Sequence, residues 1–261
     1  MHTYRAILVL LLFVVGSLFS VVYAQQKNLA PNNGLLPKNE GQQSVDWVVM
    51  AHDYNYATND TLEINLRPKY GSLPKNDALK ASDAKFLAAM DDLYKGYRKR
   101  AAGDISLLGW QLLREGNKRD AMRRFNQAWL LDTSNGSSLW GMAAIEANIG
   151  KFDESLKLFG EAERSVGNNI NFSIDYAKAI GLAGAETKNE ARLKDAFARF
   201  ARLYEKAPQN TLNLENWAKT LFLVGDYAEA WTKVKLAEKT RVGAEIDPLF
   251  LKALKDKMAR P

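Results

Sequence analysis

The chain has 261 residues, no cysteine, two histidines and a formal net charge of +6, with 47% hydrophobic residues, enough for an ordinary folded core. The missing cysteine excludes disulfides, thiol catalysis, thiolate zinc sites, iron–sulfur clusters and lipoprotein acylation. The bases are interleaved with acids and form no stripe with stacking aromatics, so the charge does not point to nucleic acid.

The N-terminus reads as a secretory signal over residues 1–24. Arg5 supplies the basic start, Ala6 to Val22 is almost wholly apolar, and Val22-Tyr23-Ala24 precedes polar Gln25-Gln26. Cleavage there leaves a mature chain starting at Gln25, expected in the bacterial periplasm with no stable membrane span. An uncleaved signal would instead anchor it in the inner membrane.

Residues 25–81 read as an N-terminal arm. Pro31, Pro37, Pro68 and Pro74 fall in it, with a turn signal at Asn33-Gly34. Val45–Met50 and Thr61–Leu66 have strand character, the second by strict alternation of Leu62, Ile64 and Leu66. The arm is expected to be mostly irregular or short-stranded.

Ser82 then opens a predicted helix over 82–101. Its apolar face is Phe86, Leu87, Met90, Leu93, Tyr94 and Tyr97, and Arg98-Lys99-Arg100 sits in its last turn.

A repeat follows. Gly116, Gly150 and Gly184 are 34 residues apart, and Gly225 comes 41 after Gly184. Four further columns keep that register: Gly109, Ala143, Ala177, Ala218; Ala121, Ser155, Ala196, Ala230; Phe125, Phe159, Phe200, Val234; and Ala128, Ala162, Leu203, Ala237. The turn glycine is expected to close the first helix of each unit in a left-handed cap. The small residues let two helices approach, and the aromatic fills the gap between units. The extra residues of the third unit are expected between its two helices, around Glu186 to Arg192. Each unit leaves an apolar face that only a neighbour can cover.

These columns resemble the tetratricopeptide repeat (TPR) family. Gly225-Asp226-Tyr227-Ala228-Glu229-Ala230 is similar to the family's turn into its second helix, and Pro208 to its unit-closing proline. Leu112, Ile180 and Leu221 suit its large buried position, where Glu146 stands in the second unit. The resemblance implies an all-α, right-handed superhelical solenoid of antiparallel helix pairs. Four units are placed at 102–135, 136–169, 170–210 and 211–244, ending in a capping helix over 245–261 that Asp247-Pro248 opens.

No constellation for chemistry accompanies the repeat. A Ser-His-Asp arrangement would have to use His52, and no phosphate or calcium loop occurs. Ser72 with Lys75 and Ser82 with Lys85 match a Ser-x-x-Lys pattern without its companion motifs. No catalytic residue, cofactor or metal ligand is therefore named.

In the family the first helix of each unit lines a concave groove. Carried over by register, the groove residues are Ser106, Trp110, Arg114, Trp140, Ala144, Asn148, Ile174, Lys178, Glu215, Lys219 and Phe222. Tryptophan is common at binding hot spots, although Trp110 and Trp140 would equally suit packing against a neighbouring cap or arm. The carboxylate clamp of some eukaryotic members is not reproduced. The expected function is non-catalytic binding of another protein or peptide segment, as a scaffolding module of the cell envelope. An accessory role in secretion, envelope assembly or toxin neutralisation is a narrower version, and a hydrolase with an unrecognised site is the alternative of another class.

Overall fold

The computed structural model describes residues 61–240 and 246–261, with side chains from Ile64 onward. The signal sequence, its cleavage point, the run Val45–Met50 and His52 lie outside the described residues.

The described residues are helical throughout, with ten α-helices, two 3-10 turns at Thr61–Leu66 and Pro68–Ser72, and no strand. The α-helices are α1 (Asp77–Leu93), α2 (Arg98–Arg114), α3 (Lys118–Leu131), α4 (Gly136–Asn148) and α5 (Phe152–Val166). They continue with α6 (Ile170–Thr187), α7 (Glu190–Lys206), α8 (Thr211–Leu223), α9 (Tyr227–Thr240) and α10 (Pro248–Lys257). α2 packs along α3, α4 along α5, α6 along α7 and α8 along α9; each of α2, α4 and α6 also touches the helix two further on.

Asparagine starts most of these helices. Asn76, Asn117, Asn135, Asn169, Asn189 and Asn210 each accept a backbone N–H of the first turn on the side-chain oxygen. Such a cap is worth about 1 kcal/mol against alanine. Three of the turn glycines close first helices as the spacing predicts, with φ of +80° at Gly116, +77° at Gly150 and +85° at Gly225. The next amide returns to the helix each time: Asn117 to Leu112, Lys151 to Glu146 and Asp226 to Leu221.

The third pair departs from this pattern. Gly184 is buried inside α6, and Lys188 takes the left-handed cap at φ +50° while the Asn189 amide returns to the Gly184 carbonyl at 2.8 Å. The extra residues therefore do not form a loop. They lengthen both helices of the pair, to 18 residues in α6 and 17 in α7. A helical insertion satisfies its own backbone hydrogen bonds, which a loop packed beside a core does not.

The column residues form the interior. All sixteen are buried, with Phe125 and Phe200 0% exposed and Phe159 1%. Phe125 of α3 is wedged between two first helices: a Cβ on Gly109 of α2 would come within 2.6 Å of its ring, and one on Gly141 of α4 within 2.2 Å. Gly181 of α6 likewise admits Thr220 of α8, whose Cγ2 would lie 2.7 Å from an added Cβ. Glycine inside a helix costs about 1 kcal/mol relative to alanine, so its presence here is set by packing.

The predicted helix over 82–101 is corrected. Asn76, not Ser82, caps α1, and the helix stops at Leu93 because Lys95 and Gly96 turn left-handed at φ +53° and +79°. Arg98-Lys99-Arg100 consequently opens α2 instead of closing a helix. The positive end of the dipole disfavours cations there. Arg98 is offset by a two-bond pair with Asp91 of α1, at 2.6 and 2.7 Å. Tyr97 and Leu93, expected on the apolar face, are 71% and 42% exposed.

Thr61–Leu66 is corrected as well, from strand to 3-10 turn. Ile64 and Leu66 are buried and Asn65 is exposed, so the side-chain alternation survives. No second strand is present among the described residues to complete a ladder, and the backbone closes on itself, Arg67 N–H to Ile64 carbonyl. Buried Asn126 of α3 holds this segment, donating to the carbonyls of Asn65 and Arg67 at 2.7 and 2.8 Å and accepting from the Tyr70 amide. Lys69 pairs with Glu161 of α5 at 2.9 Å.

At the C-terminal end Asp247 caps α10, and its Phe250 and Leu254, both 0% exposed, cover Trp231, Val234 and Leu221.

Phe125→Ala is expected to cost about 3–5 kcal/mol in urea unfolding. Gly141→Ala is expected to destabilise by about 1–3 kcal/mol although alanine is the better helix former, because the ring has nowhere to move. In contrast, Lys188→Gly is expected to stabilise by about 0.5–1 kcal/mol, since a side chain in the left-handed region carries a cost of about 1–2 kcal/mol. A lower midpoint for Lys188→Gly would contradict the cap assignment.

Candidate functional site

The residues expected to face a groove separate into two sets. Trp110 and Trp140 are buried, 8% and 3% exposed, and Ser106 and Ile174 are fully so. Their placement on an open surface is corrected: they are interior struts between first helices. An indole on α2 or α4 is long enough to reach the next first helix, which the small residues hold close. Trp110 meets Trp140 edge-on at 4.8 Å and Phe125 at 5.4 Å. Trp140 meets Phe172 of α6 at 5.6 Å. Both indole N–H groups are used, Trp110 donating to Ser137 Oγ at 3.0 Å and Trp140 to Asp175 Oδ2 at 2.9 Å. Ser106 donates to the capping Asn135 at 3.0 Å.

The other set keeps access to solvent. Arg114 and Asn148 are exposed; Ala144, Lys178, Glu215, Lys219 and Phe222 are half-buried. The half-buried charges form a seam from α4 across α6 and α8 to the start of α10. Asp175 takes the Trp140 indole. Lys219 pairs with Glu215 at 2.8 Å and with Asp247 at 3.1 Å, and lies 5.7 Å from the Phe250 ring centre. Asp175, Lys219 and Glu215 all act on the charge of Lys178. Burial pushes the Asp175 carboxyl above its ordinary range, opposed by Lys178 and by the Trp140 hydrogen bond. Burial also holds the Lys178 ammonium below its ordinary range, opposed by Asp175 and Glu215. Sequence reasoning found Lys178, Glu215 and Lys219 but missed Asp175 as the acceptor and Asp247 as the far end. The charge pattern at one-turn spacing, Asp175 with Lys178 and Glu215 with Lys219, was the available signal.

Glu146 is a second buried acid, 1% exposed at the C-terminal end of α4. Burial raises its pKa from 4.5 to about 7, opposed by Lys151 and reinforced by Glu154.

Of the two Ser-x-x-Lys pairs, the first has its lysine engaged elsewhere. Lys75 is engaged by Asp83 and sits 3.2 Å over the Tyr70 ring, and Ser72 lies in a left-handed turn at φ +55°. Among the described residues no group of three or more Asp, Glu or His is placed to hold a metal ion, and no helix is long and apolar enough to cross a membrane.

The raised Glu146 pKa makes a signed prediction. Its folded-state value lies above the unfolded one, so the folded state holds the proton more tightly. That contribution is present below about pH 4.5 and is lost as pH rises through about 7. Glu146→Gln is expected to flatten the fall in stability over this window and to be the more stable chain at its upper end, as read by urea midpoints across pH. An unchanged slope would contradict it.

No protein-family model, curated protein or solved structure matches the chain.

Proposed function

We propose that residues 98–240 form a right-handed superhelical array of tetratricopeptide type, and that its first-helix face binds a segment of a partner polypeptide without catalysis. The observation that carries this reading is the four helix pairs, each with the same column positions buried. Helices start at Gly136, Ile170 and Thr211, the column residues are buried in every pair, and every first helix closes on the same returning amide. Chance spacing would not put sixteen residues of four columns inside together. α1 with the pinned 61–72 segment would cap one end, and α10 the other. A stack of this kind leaves one face of its first helices uncovered along its length, and such faces take extended or helical segments.

The same reading places the chain in the bacterial periplasm after cleavage following Ala24, as a binding or scaffolding module of the envelope. Arg5, the apolar run to Val22 and Val22-Tyr23-Ala24 support it.

With Trp110 and Trp140 spent inside, the binding surface is Arg114, Asn148, Ala144, Phe222 and the charged seam. The chain carrying Arg114→Glu with Asn148→Arg, both at exposed positions, tests this. Against an envelope extract it is expected to lose the proteins that wild type retains, weakening each by more than about 1 kcal/mol, with the helical spectrum and melting temperature unchanged. A control pair on α5, Lys157→Glu with Glu163→Lys, is expected to keep them. Loss only in the α5 control would move the binding face to the second helices.

A further inference from the structure

Residues 61–72 belong to no helix pair, yet they are held as a bound peptide would be. Both 3-10 turns lie on α3. Ile64, Leu66 and Tyr70 are 4%, 0% and 5% exposed, and the Tyr70 ring centre lies 6.4 Å from that of Trp129. Asn126 holds the segment by its backbone. It donates to the Asn65 and Arg67 carbonyls at 2.7 and 2.8 Å and accepts the Tyr70 amide at 3.3 Å. Both ends of its side-chain amide are thus spent on a polypeptide backbone. The ion pair of Lys69 with Glu161 carries the contact onto α5.

The register makes this site particular to the first pair. One place after Phe125, Phe159, Phe200 and Val234 stand Asn126, Gly160, Ala201 and Lys235. The last three are half-buried, whereas Asn126 is 0% exposed beneath the segment. Water takes over its hydrogen bonds when the segment leaves, so an asparagine suits a contact that opens. Lys69, Tyr70, Gly71 and Ser72 are all left-handed, with φ of +51°, +58°, +65° and +55°. Three of the four carry a side chain that this region disfavours, and such a backbone persists only while its contacts hold it. Gly71 to Pro74 are exposed and form the hinge into α1. A pocket of about 130 Å³ remains beside the segment, lined by Tyr70, by Asp83 and Phe86 of α1 and by Arg123 and Leu130 of α3, so the segment does not fill its site.

We propose that the second-helix face at Asn126 and Glu161 is a second polypeptide-binding site, kept closed by the chain's own residues 61–72, which a partner segment of the same pattern displaces. That pattern is two backbone carbonyls and an amide for Asn126, apolar side chains at the places of Ile64 and Leu66, an aromatic at that of Tyr70, and a cation for Glu161. The resident segment has the advantage of its covalent link, which gives it a high effective concentration. The strained turn at Lys69 to Ser72 works against it. This site does not depend on the first-helix face.

The probe is a fluorescein-labelled peptide of residues 61–73, blocked at both ends, titrated by anisotropy into the full chain. Leu66→Asp in the chain loosens the resident segment and leaves the site intact. The peptide is expected to bind this variant at least tenfold tighter than wild type, with the helical spectrum kept. Adding Asn126→Ala is expected to weaken that binding at least tenfold. Lys69→Glu sets two acids against each other at a half-buried pair and leaves the apolar contacts alone, so it answers the same question if Leu66→Asp fails to fold; it is expected to raise peptide affinity several-fold. A peptide carrying Leu66→Asp is expected to bind none of the chains. Peptide affinity no higher in either variant than in wild type, binding that survives Asn126→Ala, or loss of the whole fold in both variants would each overturn the proposal. Arg114→Glu with Asn148→Arg is expected to leave peptide binding to the Leu66→Asp or Lys69→Glu chain unchanged. Loss of the peptide there would place it on the first-helix face and overturn the second site.

Discussion

Everything in the first three helix pairs depends on an aromatic chain that crosses from pair to pair. Phe125 touches Trp110, Trp110 touches Trp140, Trp140 touches Phe172, and Phe172 touches Phe159, with ring centres 4.8 to 5.7 Å apart. Three of these rings stand on first helices and two on second helices, so the chain ties each pair to the next through both layers. Offset or edge-on pairs of this kind add about 0.5–1.5 kcal/mol beyond the area they bury. They demand close helices, and Gly109, Gly141 and the alanine columns supply the clearance. The fourth pair repeats the theme with Phe200 stacked on Trp217 at 6.2 Å, and Phe222 meets Phe250 of α10 at 5.9 Å.

Much of this interior was legible because it recurs. A residue that must be small or aromatic at one place in a pair must be so in every pair, and the shared spacing exposes it. Isolated features were not legible. The break between α1 and α2 hides inside an unbroken apolar periodicity from Phe86 to Tyr97, and only Gly96 marks it. Gly184 keeps the glycine spacing but not the glycine role, because one inserted helical turn carries the cap onward to Lys188. Asn126 gives no periodic signal, since its partners are backbone atoms some sixty residues earlier in the chain. Gly141 was visible as a glycine in the interior of a helix that also holds three alanines, which is a signal of close approach.

The candidate site shows the same division. Register alone finds which residues lie along the first helices, and nine of the eleven are buried or half-buried, with Arg114 and Asn148 exposed. Register cannot tell an open surface from an interior when side chains are large. Trp110 and Trp140 look like hot-spot residues by type, yet the neighbouring first helix takes them up, and their N–H groups are spent on Ser137 and Asp175. On the proposed binding face the chemistry thereby shifts from aromatic to charged. It lies in a seam where Lys219 answers Glu215 and Asp247, and the Trp140 indole answers Asp175.

The central claim is that the tryptophans are struts and the seam is surface. Hydrogen exchange of the two indole N–H protons, followed by proton–nitrogen correlation spectra, tests it most directly. Buried and hydrogen-bonded, both are expected to exchange as slowly as the backbone amides of α4 and α6 and to be lost with them on mild denaturation. Exchange at the rate of a free indole, while those helical amides remain protected, would contradict the account and return the tryptophans to an open groove.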